Sequence, residues 1–175
     1  RKQLKDKNKE LKQIAITDKL TKLYNRVKLD ESLLKELKRA KRYNHPFGLI
    51  LVDIDDFKVV NDTYGHLVGD QVLKELSRIL THYTREIDIC GRWGGEEFMI
   101  ICPETNYEGI SKLAELLRHK VESNDFKSVK KVTASFGISE FKPTDSFDSV
   151  ILKADKALYN AKHAGKNCVR GLFKN

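Results

Sequence analysis

The sequence predicts an α/β domain with a mixed central β-sheet and helices packed against it. Three observations carry that prediction. Helical-period and strand-like apolar segments alternate along most of the chain, a paired glycine separates two of the strand-like segments, and 175 residues suit one compact domain with a short appendage.

The elements follow in order. Residues 1–15 are polar, lack Gly and Pro, and space Leu4, Leu11 and Ile14 along one side of a helix, so the segment is expected to be the end of a helical stalk; a solvated surface helix fits the pattern equally. A helix with Leu33, Leu37 and Ala40 on one face comes next, then a buried strand, Phe-Gly-Leu-Ile-Leu-Val-Asp-Ile at 47–54, that ends in a carboxylate. Val72, Leu76, Ile79 and Tyr83 predict a helix over 68–83. Strands are expected over 86–93 and 96–102, joined as a hairpin at Gly94-Gly95, since paired glycines permit the positive φ angles of tight primed turns. A helix over 107–122, a strand over 131–140, a helix over 147–164 and a short last strand complete the pattern. One strand pair is a hairpin among alternating elements, so the sheet is expected to be mixed.

Charge and cysteines narrow the function classes. The formal net charge is +8, but residues 1–12 hold six basic side chains against Asp6 and Glu10, and this segment's +4 is half of the excess. The remainder suits an anionic small substrate and gives no nucleic-acid footprint. Cys90, Cys102 and Cys168 are odd in number and lack CxxC spacing, which argues against a disulfide framework and a zinc site and fits a reducing cytosol. No apolar run is long enough to cross a bilayer and no signal peptide is visible. The chain opens on Arg1 and its one methionine is Met99, so it is expected to be a domain from a longer polypeptide.

Two acidic clusters stand where phosphate chemistry would want them. Asp53 closes an apolar strand, and Glu96 and Glu97 follow the glycine pair. Carboxylates on neighbouring strand ends are hard ligands for Mg²⁺ shared with substrate phosphates. Glycines there let a phosphate or ribose approach the backbone. Each cluster alone is commonly a solvated strand end or turn. Lys162 and Lys166, four apart near the end of the last helix, share a face and suit either a helix C-terminus or a triphosphate.

At Gly94-Gly95-Glu96-Glu97-Phe98 the sequence resembles the signature of the GGDEF-domain diguanylate cyclases, in its GGEEF form. Asp18-Lys19-Leu20-Thr21 with Leu23 and Asn25-Arg26 is similar to the family's opening motif. Asp53-Ile54-Asp55-Asp56-Phe57-Lys58, Asn61-Asp62, Gly65-His66 and Gly69-Asp70 are similar to its metal and guanine segment, and Asp155-Lys156-Ala157-Leu158-Tyr159, Ala161-Lys162 and Gly165-Lys166-Asn167 to its closing helix. Lys22 and Val27 stand where Gly and Arg are common, and Lys166 where Arg is frequent.

The resemblance implies a nucleotidyl-cyclase or polymerase-palm-like fold, with a catalytic domain over 16–175. It implies condensation of two GTP into cyclic di-GMP on a homodimer, because one domain holds one GTP. Asp53, the Ile54 carbonyl and Glu96 match the positions for two Mg²⁺ (or Mn²⁺) per half-site, Glu96 matches the group associated with deprotonating the 3′-OH, and Glu97 a supporting acid. Asn61 and Asp70 match guanine-reading positions, His66 a nearby substrate position, Gly94 and Gly95 the substrate turn, and Lys162 and Lys166 triphosphate ligands. A carboxylate accepts guanine's N1–H and N2–H together, a donor pair adenine lacks. Arg85 and Asp88 form an RxxD sequence placed like the family's inhibitory product site, with Leu116 where relatives carry a second arginine and Arg118 as a substitute. An upstream sensory domain, able to anchor a full-length protein to a membrane, is implied as partner. The retained acids disfavour the alternative of a non-catalytic cyclic di-GMP receptor.

Overall fold

The computed structural model describes residues 1–172; residues 173–175, the end of the expected catalytic domain, lie outside the described residues. The helices are α1 (Lys2–Ile16), α2 (Arg26–Tyr43), α3 (Phe57–Tyr64), α4 (His66–Tyr83), α5 (Tyr107–Ser123) and α6 (Phe147–His163). The strands are β1 (Phe47–Ile54), β2 (Ile89–Gly94), β3 (Glu97–Pro103), β4 (Ala134–Glu140) and β5 (Val169–Gly171). Among the described residues they form one sheet in the order β2-β3-β1-β4-β5, parallel only between β4 and β5. The expected mixed sheet is therefore observed.

β1 reads as an unbroken apolar run because both of its faces are covered. Ile50, Val52 and Ile54 pack with Phe98, Ile100, Phe136 and Ile138 beneath Val72, Leu76 and Leu80 of α4 and Ile110, Ala114 and Leu117 of α5. The alternate residues Phe47, Leu49 and Leu51 pack with Met99 and Ile101 beneath Leu29, Leu33 and Leu37 of α2 and Val150, Ala154 and Leu158 of α6. Successive strand residues point to opposite faces, so a central strand between two helical layers has no polar side. At Gly137 a Cβ would meet the Ala154 carbonyl and the Leu158 amide, so α6 lies directly on the β4 backbone.

Local chemistry fixes the helix ends. The Asn25 side chain accepts from the Lys28 amide at 3.1 Å and starts α2, while Asn44 in a left-handed conformation ends it. Ser146 and Ser149 form a capping box at the start of α6. Gly65, at φ +87°, turns the short α3 into α4.

Several element boundaries differ from the sequence expectation, β4 among them, which begins at Ala134 instead of 131. α3, which was not expected, has only eight residues; α4 begins at His66 instead of 68. β2 begins at Ile89, because Arg85–Asp88 is a turn closed by the Asp88 amide on the Arg85 carbonyl. In the hairpin only Gly95 has a positive φ, +36°; Gly94 is paired with Glu97 after an irregularity at Arg92/Gly94, so Gly95 and Glu96 form the turn. α1 buries none of its residues, and Leu4, Leu11 and Ile14 are exposed. Among the described residues no helix is long and apolar enough to cross a membrane.

Candidate active site

The site lies where the ends of β1 and β3 meet the C-terminal end of α6. Antiparallel register sets Asp53 opposite Glu97, and the Ile54 amide donates to the Glu96 carbonyl at 3.3 Å. Both glutamates are half-buried on the hairpin. Burial raises the pKa of Asp53, and Glu96 and Asp55 add to that rise against the opposing pull of Lys162. Burial also raises Glu97, reinforced by the charges of Asp53, Asp155 and Glu96. Negative charge is thus concentrated at a partly desolvated strand end, an arrangement that calls for a cation.

Lys162 answers that charge. Its Nζ lies 2.7 Å from Asp53 Oδ1, 2.8 Å from Asp55 Oδ1 and 3.2 Å from the Ile54 carbonyl oxygen. Burial lowers the lysine's pKa, but hydrogen bonds to both aspartates outweigh it and the net shift is upward. Lys166 Nζ sits 2.5 Å from Asp56 Oδ1 in a more exposed pair. Both expected phosphate ligands therefore stand on carboxylates of the 53–56 segment.

The two aspartates of Asp-Ile-Asp differ. Among the described residues the Asp53 carboxylate has Lys162 as its one partner. The Asp55 carboxylate, 3% exposed, accepts from Thr133 Oγ1 and Ser135 Oγ at 2.7 Å, Lys162 Nζ at 2.8 Å and the Asn167 amide at 2.9 Å. Burial alone would raise its pKa; the hydrogen bonds from Lys162, Ser135 and Thr133 hold it below the ordinary value.

A divalent cation fits this donor set. Lys162 already places a positive charge against the Asp53 carboxylate and the Ile54 carbonyl, the same hard oxygens that would ligate Mg²⁺. Among the described residues no three His, Cys, Asp or Glu side chains gather closely enough to form a closed metal cage.

The residues expected on the nucleoside side lie at the α3–α4 corner. Asn61 is half-buried on α3, and a Cβ on Gly69 would strike its side-chain oxygen, so the bare glycine is what seats the amide there. Half-buried Asp70 follows Gly69, and His66 is exposed at the start of α4.

Sequence reasoning missed the support of the hairpin. Arg92 donates to the Gly95 carbonyl at 2.8 Å and approaches Asp18 at 3.4 Å, while its amide bonds the Tyr24 carbonyl. The Arg26 guanidinium stacks 3.2 Å over the Trp93 ring. These contacts join residues up to 74 positions apart, so no local pattern announces them.

The RxxD residues lie apart from the 53–56 segment. Arg85 forms a two-pronged pair with Asp88 at 2.8 and 3.2 Å and also donates to the Pro103 carbonyl and Thr105 Oγ1. The Asp88 carboxylate is fully covered and receives the Arg85 amide too. Arg118, the expected stand-in for an arginine at Leu116, faces away from Arg85 in this structure. It is held by Glu115, Glu122 and Asn167.

Comparison with known proteins agrees with this architecture. The family profile described as "Diguanylate cyclase, GGDEF domain" matches residues 15–168. The chain is 38% identical over 165 residues to the response regulator PleD of Caulobacter vibrioides, covering 91% of this chain and 36% of PleD. It is 36% identical to the diguanylate cyclase VdcA of Vibrio cholerae, covering 97% of this chain and 50% of VdcA. It thus spans about a third to a half of the length of these curated relatives. Its fold is similar to the crystal structure of the coiled coil and GGDEF domain of DgcB from Caulobacter crescentus in complex with c-di-GMP, with TM-score 0.93, 31% identity and coverage of 98% and 93% of the two chains. The match over residues 15–168, the mixed sheet and the acids on the glycine hairpin lead to one conclusion: the chain belongs to the GGDEF-domain family of diguanylate cyclases.

Proposed function

We propose that the chain is the catalytic domain of a diguanylate cyclase, condensing two GTP into cyclic di-GMP with release of two pyrophosphates. The observation that carries the reading is the cation cradle of Asp53 and the Ile54 carbonyl, filled by Lys162 beside Glu96 and Glu97. Asp53, the Ile54 carbonyl and Glu96 hold Mg²⁺ or Mn²⁺, two per half-site, with Glu97 in support. The ions, when bound, polarise the α-phosphate and make the 3′-hydroxyl more acidic. Glu96 receives the 3′-hydroxyl proton. Lys162, released from Asp53, and Lys166, released from Asp56, neutralise the triphosphate and the departing pyrophosphate. Asn61 and Asp70 select guanine, and His66, Gly94 and Gly95 line the path of the nucleotide.

One domain offers one such site, so two copies face each other to join two nucleotides. Residues 1–15 act as the end of a stalk through which an upstream sensory region sets that geometry, and residues 16–175 form the catalytic domain. Arg85 and Asp88 bind product and lower turnover, for which the pair opens so that the Arg85 fork and the Asp88 carboxylate can reach guanine. The setting is cytoplasmic, with any membrane anchor supplied upstream.

The test is incubation with GTP and Mg²⁺ over a series of protein concentrations, with nucleotide products identified by mass spectrometry. Cyclic di-GMP and pyrophosphate are expected, with activity per protomer rising as dimer forms. Binding of cyclic di-GMP without any turnover would instead make the chain a receptor on the same fold.

A further inference from the structure

Four donors converge on Asp55 in a pattern that leaves little room for a ligand. Thr133 Oγ1 and the Asn167 amide occupy Oδ2, and Ser135 Oγ and Lys162 Nζ occupy Oδ1. Two donors on each oxygen saturate an ionised carboxylate. Asp53, two residues earlier, is engaged by Lys162 only, among the described residues. Neighbours in sequence on the same strand end thus have opposite capacities: Asp53 can exchange its partner for a metal ion, whereas Asp55 would have to break a buried network.

What Asp55 holds is the machinery for phosphate. Lys162 comes from the last turn of α6, and Asn167 from the turn that follows it. Gly165, Lys166 and Asn167 lie successively at φ +107°, +64° and +45°, so three left-handed residues reverse the chain towards β5. Non-glycine residues adopt that region at a cost, and persist there when surrounding contacts enforce it. The contacts are visible on both sides. The Asn167 amide is tied to Asp55, while its side chain is clamped by Arg118, at 3.0 Å, and Glu122 of α5; Arg118 and Glu122 are themselves paired at 3.0 Å. The result is a continuous polar path from α5 through the turn to Lys162, with Lys166 carried between.

The geometry points to Asp55 as a positioning residue that does not ligate metal: it fixes Lys162 and, through Asn167, the turn bearing Lys166, so that both ammonium groups stand ready beside the nucleotide phosphates. This assignment rests on the GTP reading above. It gives the Arg118–Glu122 pair a purpose as the outer brace of the same turn.

Calorimetry on the whole chain tests it, with Mn²⁺ alone as one probe and Mn²⁺ with 3′-deoxy-GTP, which lacks the attacking hydroxyl and is not consumed, as the other. Asp53→Asn is expected to lose Mn²⁺ binding. Asp55→Asn is expected to keep Mn²⁺ affinity within about threefold of wild type and to bind 3′-deoxy-GTP about tenfold more weakly, the scale of a displaced charge-assisted contact. Thr133→Val removes one donor while keeping the carboxylate and the side-chain shape. It is expected to show the same split, about threefold on the nucleotide, and it decides the matter where Asp55→Asn does not fold. Loss of Mn²⁺ binding in Asp55→Asn as deep as in Asp53→Asn overturns the assignment, as does unchanged 3′-deoxy-GTP affinity in Thr133→Val. Wild-type protein that takes up neither probe overturns the GTP reading itself, a result recognisable before any variant is made.

Discussion

Replacing Gly69 with alanine should separate nucleotide affinity from stability. The added methyl falls on the Asn61 side-chain oxygen and lies 3.3 Å from Phe57 Cζ, so Asn61 has to turn away while the ring gives slightly. Gly69 is within α4 and not at a positive φ, so alanine gains helix propensity of up to ~1 kcal/mol. An off-rotamer or re-rotated Asn61 costs about 0.5–1.5 kcal/mol, which roughly cancels that gain. The melting temperature should therefore stay within ~3 °C of wild type. With Asn61 reading the base as proposed, its loss should cost about 1–2 kcal/mol, or a ~5–30-fold rise in KM for GTP. Pyrophosphate release measured against GTP concentration, beside a thermal melt, reads both quantities. A KM unchanged in a stable variant would remove Asn61 from the nucleotide site, and a fall in melting temperature beyond ~8 °C would show that Asn61 cannot move aside.

Glu96→Gln should abolish cyclic di-GMP formation while circular dichroism stays native; near-normal turnover would displace the assigned centre. Asp70→Ser should narrow the GTP-to-ATP preference by ~1–3 kcal/mol in competition assays, and an unchanged ratio would exclude Asp70 from base reading. Glu97→Gln should raise the melting temperature at pH 7 by ~1–2 °C, because burial and the charges of Asp53, Asp155 and Glu96 raise the native pKa of this acid. A raised native pKa makes the ionised group a liability above it, so the variant's advantage should vanish as pH falls below the ordinary glutamate value; an advantage that grew on acidification would contradict the sign. Arg85→Ala should relieve inhibition by cyclic di-GMP in rate assays and also lower stability by ~1–3 kcal/mol, since it strips the buried Asp88 carboxylate of its guanidinium; equal cyclic di-GMP affinity and inhibition in both proteins would eliminate the site.

The sheet was legible because its core strands carry their burial in composition: residues 47–54 are apolar wherever two helical layers meet, and the helical stripes of α2, α4 and α5 point into the same clusters. α3 was invisible, since Phe57–Tyr64 is two turns long and buries only Val60. The expected strand start at 86 follows the alternation Glu86-Ile87-Asp88-Ile89, yet Asp88 closes a turn on Arg85 and β2 begins only at Ile89. The placement of Asp53, Glu96 and Glu97 at strand ends is legible in the sequence, but their roles rest on the family resemblance, since such acids alone are commonly solvated. The role of Asp55 was not legible, because its donors Thr133, Ser135, Lys162 and Asn167 lie 78 or more positions away and each is unremarkable in its own segment. The contact of Arg118 with Asn167 is equally illegible in the sequence, because the two residues lie 49 positions apart.

The bare backbone of Gly137 makes α6 a ruler. Pressed onto β4 at Ala154 and Leu158, the helix has a fixed zero mark, and Lys162 is read off about one turn, or ~6 Å, further along. Inserting or deleting a single residue between Leu158 and Lys162 would swing the ammonium by about 100° around the axis, away from Asp53. A single-residue change of length is therefore incompatible with the last turn of α6, however conservative the inserted side chain.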